Sequence, residues 1–241
     1  MHTDLLRAAS TEYRADLPAN GSRHIETSGA SGTIQTGYST LDSALGISVV
    51  RFISGSNIRS EAAVPAATIG TSFRVYVERT DRASTGIAIV NTQAAAASIT
   101  AQLSDGRQTT IQLDGRAQKS QFVHELFPDI GTSFVGSMSL TSNVPIAVLA
   151  LRGTFNQSND FIMATVPVFS GSTSTEPAVV PQIADGSGYV TELILLNPAA
   201  TPITGTVEFS ASVATDRGTN TTFPYVIPPS GTWTLKTTGT R

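Results

Sequence analysis

Three stretches of the chain alternate apolar and polar residues with a period of two. They are Phe73-Arg74-Val75-Tyr76-Val77-Glu78, Ile99 to Leu103 and Thr109 to Leu113. Such alternation marks a strand with one face buried and the other wet, the habit of antiparallel sheets. Three further runs are apolar almost throughout, Ile87 to Val90, Pro145 to Leu151 and Leu193 to Leu196. They predict central strands. Turn formers separate these runs at short intervals: Ser104-Asp105-Gly106-Arg107, Asp114-Gly115, Ser142-Asn143-Val144-Pro145, Asp185-Gly186-Ser187-Gly188 and Pro228-Pro229-Ser230-Gly231. Gly and Asn accept positive φ there, and Pro ends hydrogen-bonded ladders. Many short strands at regular spacing predict an all-β sandwich. Val75, Val77, Ile87, Ile89, Leu103, Leu140, Val148 and Leu151 are expected inside it. Helix is confined to His124 to Pro128, stopped by the proline, and to a marginal stretch from Thr3 to Ala9. Ala94 to Ala97 reads as a turn between strands.

The pattern repeats. Thr85 to Asn91 (TGIAIVN) recurs 106 positions on as Thr191 to Asn197 (TELILLN). Gly37 to Leu41 (GYSTL) recurs as Gly136 to Leu140 (GSMSL), and Glu61 to Ala66 (EAAVPA) as Met163 to Val168 (MATVPV). Leu17 to Ser22 (LPANGS) matches Ile227 to Thr232 (IPPSGT). A period of roughly 100 residues is the size of one small β-sandwich. The repeat predicts three parts. Residues 1–68 hold the C-terminal half of a unit, residues 69–169 a complete unit, and residues 170–241 a Ser/Thr-rich linker with the N-terminal half of another.

Several strings also resemble a known module: Ala184 to Leu193 (ADGSGYVTEL), Leu196-Asn197-Pro198, Gly205-Thr206-Val207, Glu61 to Ala66, Thr85-Gly86-Ile87-Ala88 and Glu125-Leu126-Phe127-Pro128. They are similar to the tandem immunoglobulin-like β-sandwich modules of large secreted proteins of soil bacteria. The resemblance implies an immunoglobulin-like fold, export, and a part in a stalk, adhesin or filament. It carries no activity.

Composition narrows the chemistry. Charged residues are 14% and hydrophobic residues 40% of the 241, with a net charge of −3. That is too apolar for a disordered chain and of the wrong sign for a nucleic-acid binder. There is no Cys, so neither a disulfide framework nor a Cys-based metal site is possible. No apolar run reaches the length of a membrane span. A Cys-free, Lys-poor chain rich in Thr, Ser, Ala and Gly fits an extracellular or cell-surface β-protein.

Catalytic constellations are missing. G-x-S-x-G is absent. His24 sits beside Ile25 in an expected strand, and His124 precedes Glu125; neither has a second His nearby, as a metal site would require. Asp81, Asp105, Asp114, Asp129, Asp160, Asp185 and Asp216 lie in turns, where carboxylates cap backbone N–H groups. Asp185-Gly186-Ser187-Gly188 offers a single carboxylate to a cation. Arg51 and Arg152 lie among apolar strand residues and call for ion-pair partners. Trp233 is read as core or subunit contact. No cofactor, no metal and no enzymatic activity are expected.

The expected function is therefore structural. A half-sandwich exposes an apolar face and open strand edges. The two half-units are complementary, so one copy's C-terminal half can complete the next copy's N-terminal half. Such a head-to-tail contact does not close, and it builds a filament. The expected contact sets Ile194, Leu196, Val207 and Phe209 against Ile34, Leu41, Val49 and Phe52 of the neighbour. The alternative is an adhesin or carbohydrate-binding module from a longer tandem-repeat protein, with surface glycans as partners.

Overall fold

The computed structural model of the chain describes residues 2–3, 14, 16, 18–27, 32–33, 36–41, 50–54, 57–170, 178–210 and 221–239. The chain divides into two units, Met1–Ala44 and Leu45–Arg241. In the first, β1 (His2–Thr3) pairs in parallel with β2 (Glu26–Thr27). The helix expected from Thr3 therefore starts on a strand residue, and the rest of that stretch lies outside the described residues. His24 is exposed and precedes β2 rather than lying in a strand. The turn Pro18-Ala19-Asn20-Gly21 is closed by Gly21 N–H donating to Pro18 O at 2.8 Å. Asn20 takes the left-handed φ of 59° there.

Among the described residues the second unit is all-β apart from one turn of helix. Its elements are β3 (Val50–Ser54), β4 (Asn57–Ala62), β5 (Ile69–Arg79), β6 (Ala83–Asn91), β7 (Ala97–Leu103), β8 (Gln108–Leu113) and β9 (Gln118–Phe122). There follow α1 (Val123–Leu126), β10 (Phe134–Phe155), β11 (Phe161–Val166) and β12 (Val168–Phe169). Last come β13 (Glu192–Leu196), β14 (Ile203–Phe209), β15 (Thr221–Ile227) and β16 (Thr232–Lys236). The helix falls where the sequence placed it. Glu125 caps it, accepting from Phe122 N–H at 2.6 Å, and Pro128 follows it.

One strand organises the central fold. β10 is 22 residues long, several times an ordinary strand. Its first limb pairs β5 on one side, Phe134↔Arg79 to Thr141↔Ser72, and β7 on the other, Met138↔Leu103 to Ser142↔Ile99. Its second limb pairs β6, Ile146↔Asn91 to Thr154↔Ala83, and β11, Ala150↔Val166 to Phe155↔Phe161. Between the limbs lies Ser142-Asn143-Val144-Pro145, where the register shifts. Pro145 has no N–H to give a ladder, and a register break bends a strand. β8 extends the first limb through β7, and β9 extends the second through β6.

The result is one large curled antiparallel sheet, a half-barrel, with small hairpin sheets beside it. The expectation of two separate sheets packed face to face is corrected. β10 runs through both limbs, so the ladder never breaks into two sheets. The curl encloses a single core: Phe73, Val75 and Val77 of β5, Ile87 and Ile89 of β6, Ile99 and Leu103 of β7, Met138, Leu140, Ile146 and Val148 of β10, and Val123 and Phe127 near the helix. Seven of the eight expected core residues are buried. Leu151 is half-buried, because in a period-two strand Ile146, Val148 and Ala150 take the inner face and leave Leu149 and Leu151 on the outer one.

The remaining strands form isolated pairs: β3 with β4, β13 with β16, and β14 with β15. β4 lies beside β11, and Thr165 Oγ1 donates to Ala63 O. The turn after β15 rests on the central sheet, with Ser137 Oγ donating to Ser230 O at 2.6 Å.

Candidate functional site

The C-terminal strand pairs copy the central unit bond for bond. β6 pairs β9 from Gly86↔Phe122 to Val90↔Gln118, and β13 pairs β16 from Glu192↔Lys236 to Leu196↔Thr232. β7 pairs β8 from Ala97↔Leu113, and β14 pairs β15 from Ile203↔Ile227. Each equivalence moves the first strand by 106 positions and the second by 114. The difference falls in the connection after β14.

The same holds for the polar staple of each unit. Asn91 is fully buried, and its Nδ2 donates to Ala95 O (2.7 Å), Leu113 O (3.3 Å) and Asp114 O (3.0 Å). Its Oδ1 accepts from Gln93 N at 3.0 Å. Asn197, also fully buried, donates to Thr201 O (2.8 Å), Ile227 O (3.1 Å) and Pro228 O (3.0 Å) and accepts from Ala199 N (2.8 Å). One amide thus holds two loops together and satisfies carbonyls that burial would otherwise strand. The turns below the staples match too. Ala117 N–H donates to Asp114 O and Gly231 N–H to Pro228 O, with φ of 58° at Arg116 and 59° at Ser230. Pro18–Gly21, with Asn20 at 59°, is a third example of the turn.

What the C-terminal copy lacks is a strand between its pairs. In the central unit, β10 joins β6 to β7 and β5. In the C-terminal copy nothing described joins β13 to β14, and each remains in a two-stranded sheet. The equivalent of β5 is residues 178–185, which form no strand. Val179, Val180 and Ile183 there are 84%, 53% and 39% exposed. The face of β14 and β15 alternates in the central register, but Val207 and Phe209 are only half-buried where Ala101 and Leu103 are enclosed. The site defined by these observations is a half-buried apolar channel whose two flanking strands, β13 and β14, each have a second edge unpaired among the described residues.

The expected contact residues divide across this picture. Val207 and Phe209 lie on the channel face of β14. In β13 the register equates Leu193 and Leu195 with the buried Ile87 and Ile89, and it equates Ile194 and Leu196 with the outward Ala88 and Val90. All four residues from Leu193 to Leu196 are half-buried in β13. Leu41 is described and 48% exposed. Ile34 and Val49 lie outside the described residues, and of Phe52 only the strand position in β3 is described.

The polar candidates are held in local pairs. Arg152 grips Glu78 with two bonds, Nε to Oε2 at 2.6 Å and Nη2 to Oε1 at 3.0 Å. That bond raises the Arg152 pKa further above its ordinary value, against a smaller loss from burial. Tyr76 hydroxyl reaches the same carboxylate at 3.5 Å. Arg51 pairs Glu61 at 2.9 Å on the surface. Both arginines thus have the ion-pair partners the sequence called for, but neither is buried.

Arg107 bonds Asp105, holds that carboxyl below the usual range, and lies 5.5 Å from the centre of the Phe134 ring. Asp185 Oδ1 accepts from Gly239 N at 2.8 Å, a partner 54 positions along the chain. Asp216 lies outside the described residues. Ser84 Oγ lies 3.1 Å from His124 Nδ1, and the His124 ring stacks on Phe122 at 5.6 Å. Glu125, the neighbouring carboxylate, is committed to the helix cap. The crevice bounded by Ile87, Ile89, Ile111, Lys119, Gln121 and Leu126 has no volume for a water molecule. Trp233 is half-buried against Tyr225, ring centres 5.7 Å apart.

No protein-family model and no curated protein matches the chain. Two solved structures are similar to part of it. One, titled Crystal Structure of Thermotoga maritima 1070, is 17% identical, covers 42% of this chain and 97% of its own, and has a TM-score of 0.33. The other, Anabaena sensory rhodopsin transducer, is 18% identical, covers 35% of this chain and 97% of its own, and has a TM-score of 0.30. Neither of these is an immunoglobulin-like tandem module. The resemblance read from the sequence is corrected, and the strand order explains why. The matching strings are turn and staple residues such as Asn197-Pro198, which fix local turns, whereas the path of β10 sets how the strands join into a sheet.

Proposed function

We propose that the chain is an extracellular structural protein whose incomplete units are completed by neighbouring copies, head to tail, in a filament or surface stalk. One observation carries the reading. The C-terminal copy reproduces the central unit down to the buried asparagine and its four bonds, yet among the described residues no strand takes the place of β10 beside β13 and β14. An apolar channel with free edges is a site for strand addition. Residues 36–62 carry the sequence copy of β10 and β11, and β3 with β4 repeats the hairpin that ends β10. A heterologous contact of this kind propagates rather than closes.

Sedimentation of the purified chain across a concentration series, with negative-stain imaging, tests the reading. Oligomers should grow with concentration, and Leu195→Asp should return the chain to a monomer with the central unit folded. A chain that stays monomeric overturns the proposal.

A second reading has its own observation in favour. β16 already occupies, on β13, the place that the sequence copy around residues 18–27 would take in a neighbour. That redundancy fits a segment of a longer tandem-repeat adhesin, with surface glycans as partners. On this reading the chain sediments as a monomer at every concentration.

A further inference from the structure

Resting on the assembly reading above, we infer that the open channel receives residues 36–41 of a second copy in one defined register, with Leu41 seated between Val207 and Val179. The central unit supplies the template. Leu140 of β10 is fully buried, lying opposite Ala101 of β7 on one side and Phe73 of β5 on the other. The motif match places Leu41 at Leu140, and the strand equivalences place Val207 at Ala101 and Val179 at Phe73. Leu41 and Val179 are both exposed large apolar residues, 48% and 84% accessible. Val207 is half-buried on the channel face of β14, whose second edge is unpaired among the described residues. Tyr38 and Thr40 alternate with Ser39 and Leu41, so only alternate residues enter the core. The incoming strand would bond β14, draw residues 178–185 into the ladder on its far side, and join the separate pairs into one curled sheet.

The same template says which strand is surplus. β16 holds the β9 position on β13 at every register point, so residues 18–27 of the incoming copy have no place in the channel. They must remain outside it, which leaves them free of the shared core.

The absence of Cys makes the register directly testable. Residues opposite each other on neighbouring antiparallel strands have Cβ atoms about 4.5–5.5 Å apart, close to what a disulfide spans with slight adjustment. Under mild oxidation, Leu41→Cys with Val207→Cys in one chain should give a ladder of covalent multimers on a non-reducing gel. Leu41→Cys with Glu208→Cys, slipped by one residue onto the opposite face, should give none. Sedimentation of both variants under reducing conditions is run alongside.

Multimers that assemble but do not cross-link at 41/207, or that cross-link at 41/208, overturn the register and leave the assembly reading standing. A cross-linked monomer means that the strand enters its own chain's channel, and it overturns the second copy as occupant. A chain that is monomeric in both conditions overturns both.

Discussion

The central unit and the C-terminal copy contain the same hairpins, the same staple and the same turn, yet they end in different states of burial. Ile89 is 1% exposed in β6; its equivalent Leu195 is half-buried in β13. Leu103 is enclosed, and its equivalent Phe209 is not. The difference teaches where closure comes from. Local pairing and the polar staple that ties the two strand pairs of each copy together survive without β10. Burial of the apolar face depends on one long strand that bonds four others. An isolated two-stranded ribbon is marginal in water, so the C-terminal pairs keep their geometry but gain little from their apolar faces until a third strand arrives.

The largest way to break the comparison is to delete the same side chain from both copies. Ile89→Ala removes a fully enclosed residue and should cost roughly 2–5 kcal/mol, read as a fall in the urea midpoint of the main transition. Leu195→Ala removes a half-buried residue and should cost about 1 kcal/mol or less in the unassembled chain, with the main transition unmoved. Equal costs would mean that the C-terminal copy is already closed.

Much of this was legible in the sequence, and the failures have physical causes. The repeat showed because its strings include the staple itself: Asn91 ends TGIAIVN and Asn197 ends TELILLN. The bonds those asparagines make were not readable, since most of their carbonyl partners come from residues far along the chain. Alternation reports which face a side chain takes and says nothing of which strand lies beside it. The eight strands of the sheet that β10 organises therefore read equally well as two sheets. Ser142-Asn143-Val144-Pro145 looked like a turn between strands; it is the bend inside one. Runs that are apolar throughout hide their own period, so Leu151 was placed inside with Val148. Val207 and Phe209 sit in the alternating stretch of β14, and both are half-buried there.

A finer comparison uses the two staples. Asn91 and Asn197 make the same four bonds, so any difference in cost reflects what encloses them. Asn91→Ala strands buried carbonyls in a closed core and should cost about 2–3 kcal/mol. Asn197→Ala should leave the main transition in place and show instead as faster amide exchange at Asn197 and Gly231, where the backbone bond of 3.0 Å would open. Equal global losses from both substitutions would show that the copies unfold together.

The smallest expected effect lies on the outer face, where the central unit has a cluster that the copy does not reproduce. Tyr76 and Glu78 are replaced at the equivalent positions by Gln182 and Ala184. Burial pushes the Tyr76 phenol up to about 12; the Glu78 carboxylate adds to this, Arg152 opposes it, and Glu192 at the start of β13 adds a further share. A phenol whose pKa is higher folded than unfolded stays neutral in the native state while the unfolded chain ionises. Its contribution to stability is therefore complete below about pH 10, the ordinary tyrosine value, and is lost as pH rises through about 12. Tyr76→Phe should remove the latest-titrating component of the tyrosinate absorbance and flatten the alkaline fall in stability relative to the parent chain. Glu192 belongs to the C-terminal copy, so the same titration also senses how near that copy lies. Glu192→Gln should move the Tyr76 transition to lower pH. If it does not move, β13 in solution lies farther from the central sheet than this arrangement places it.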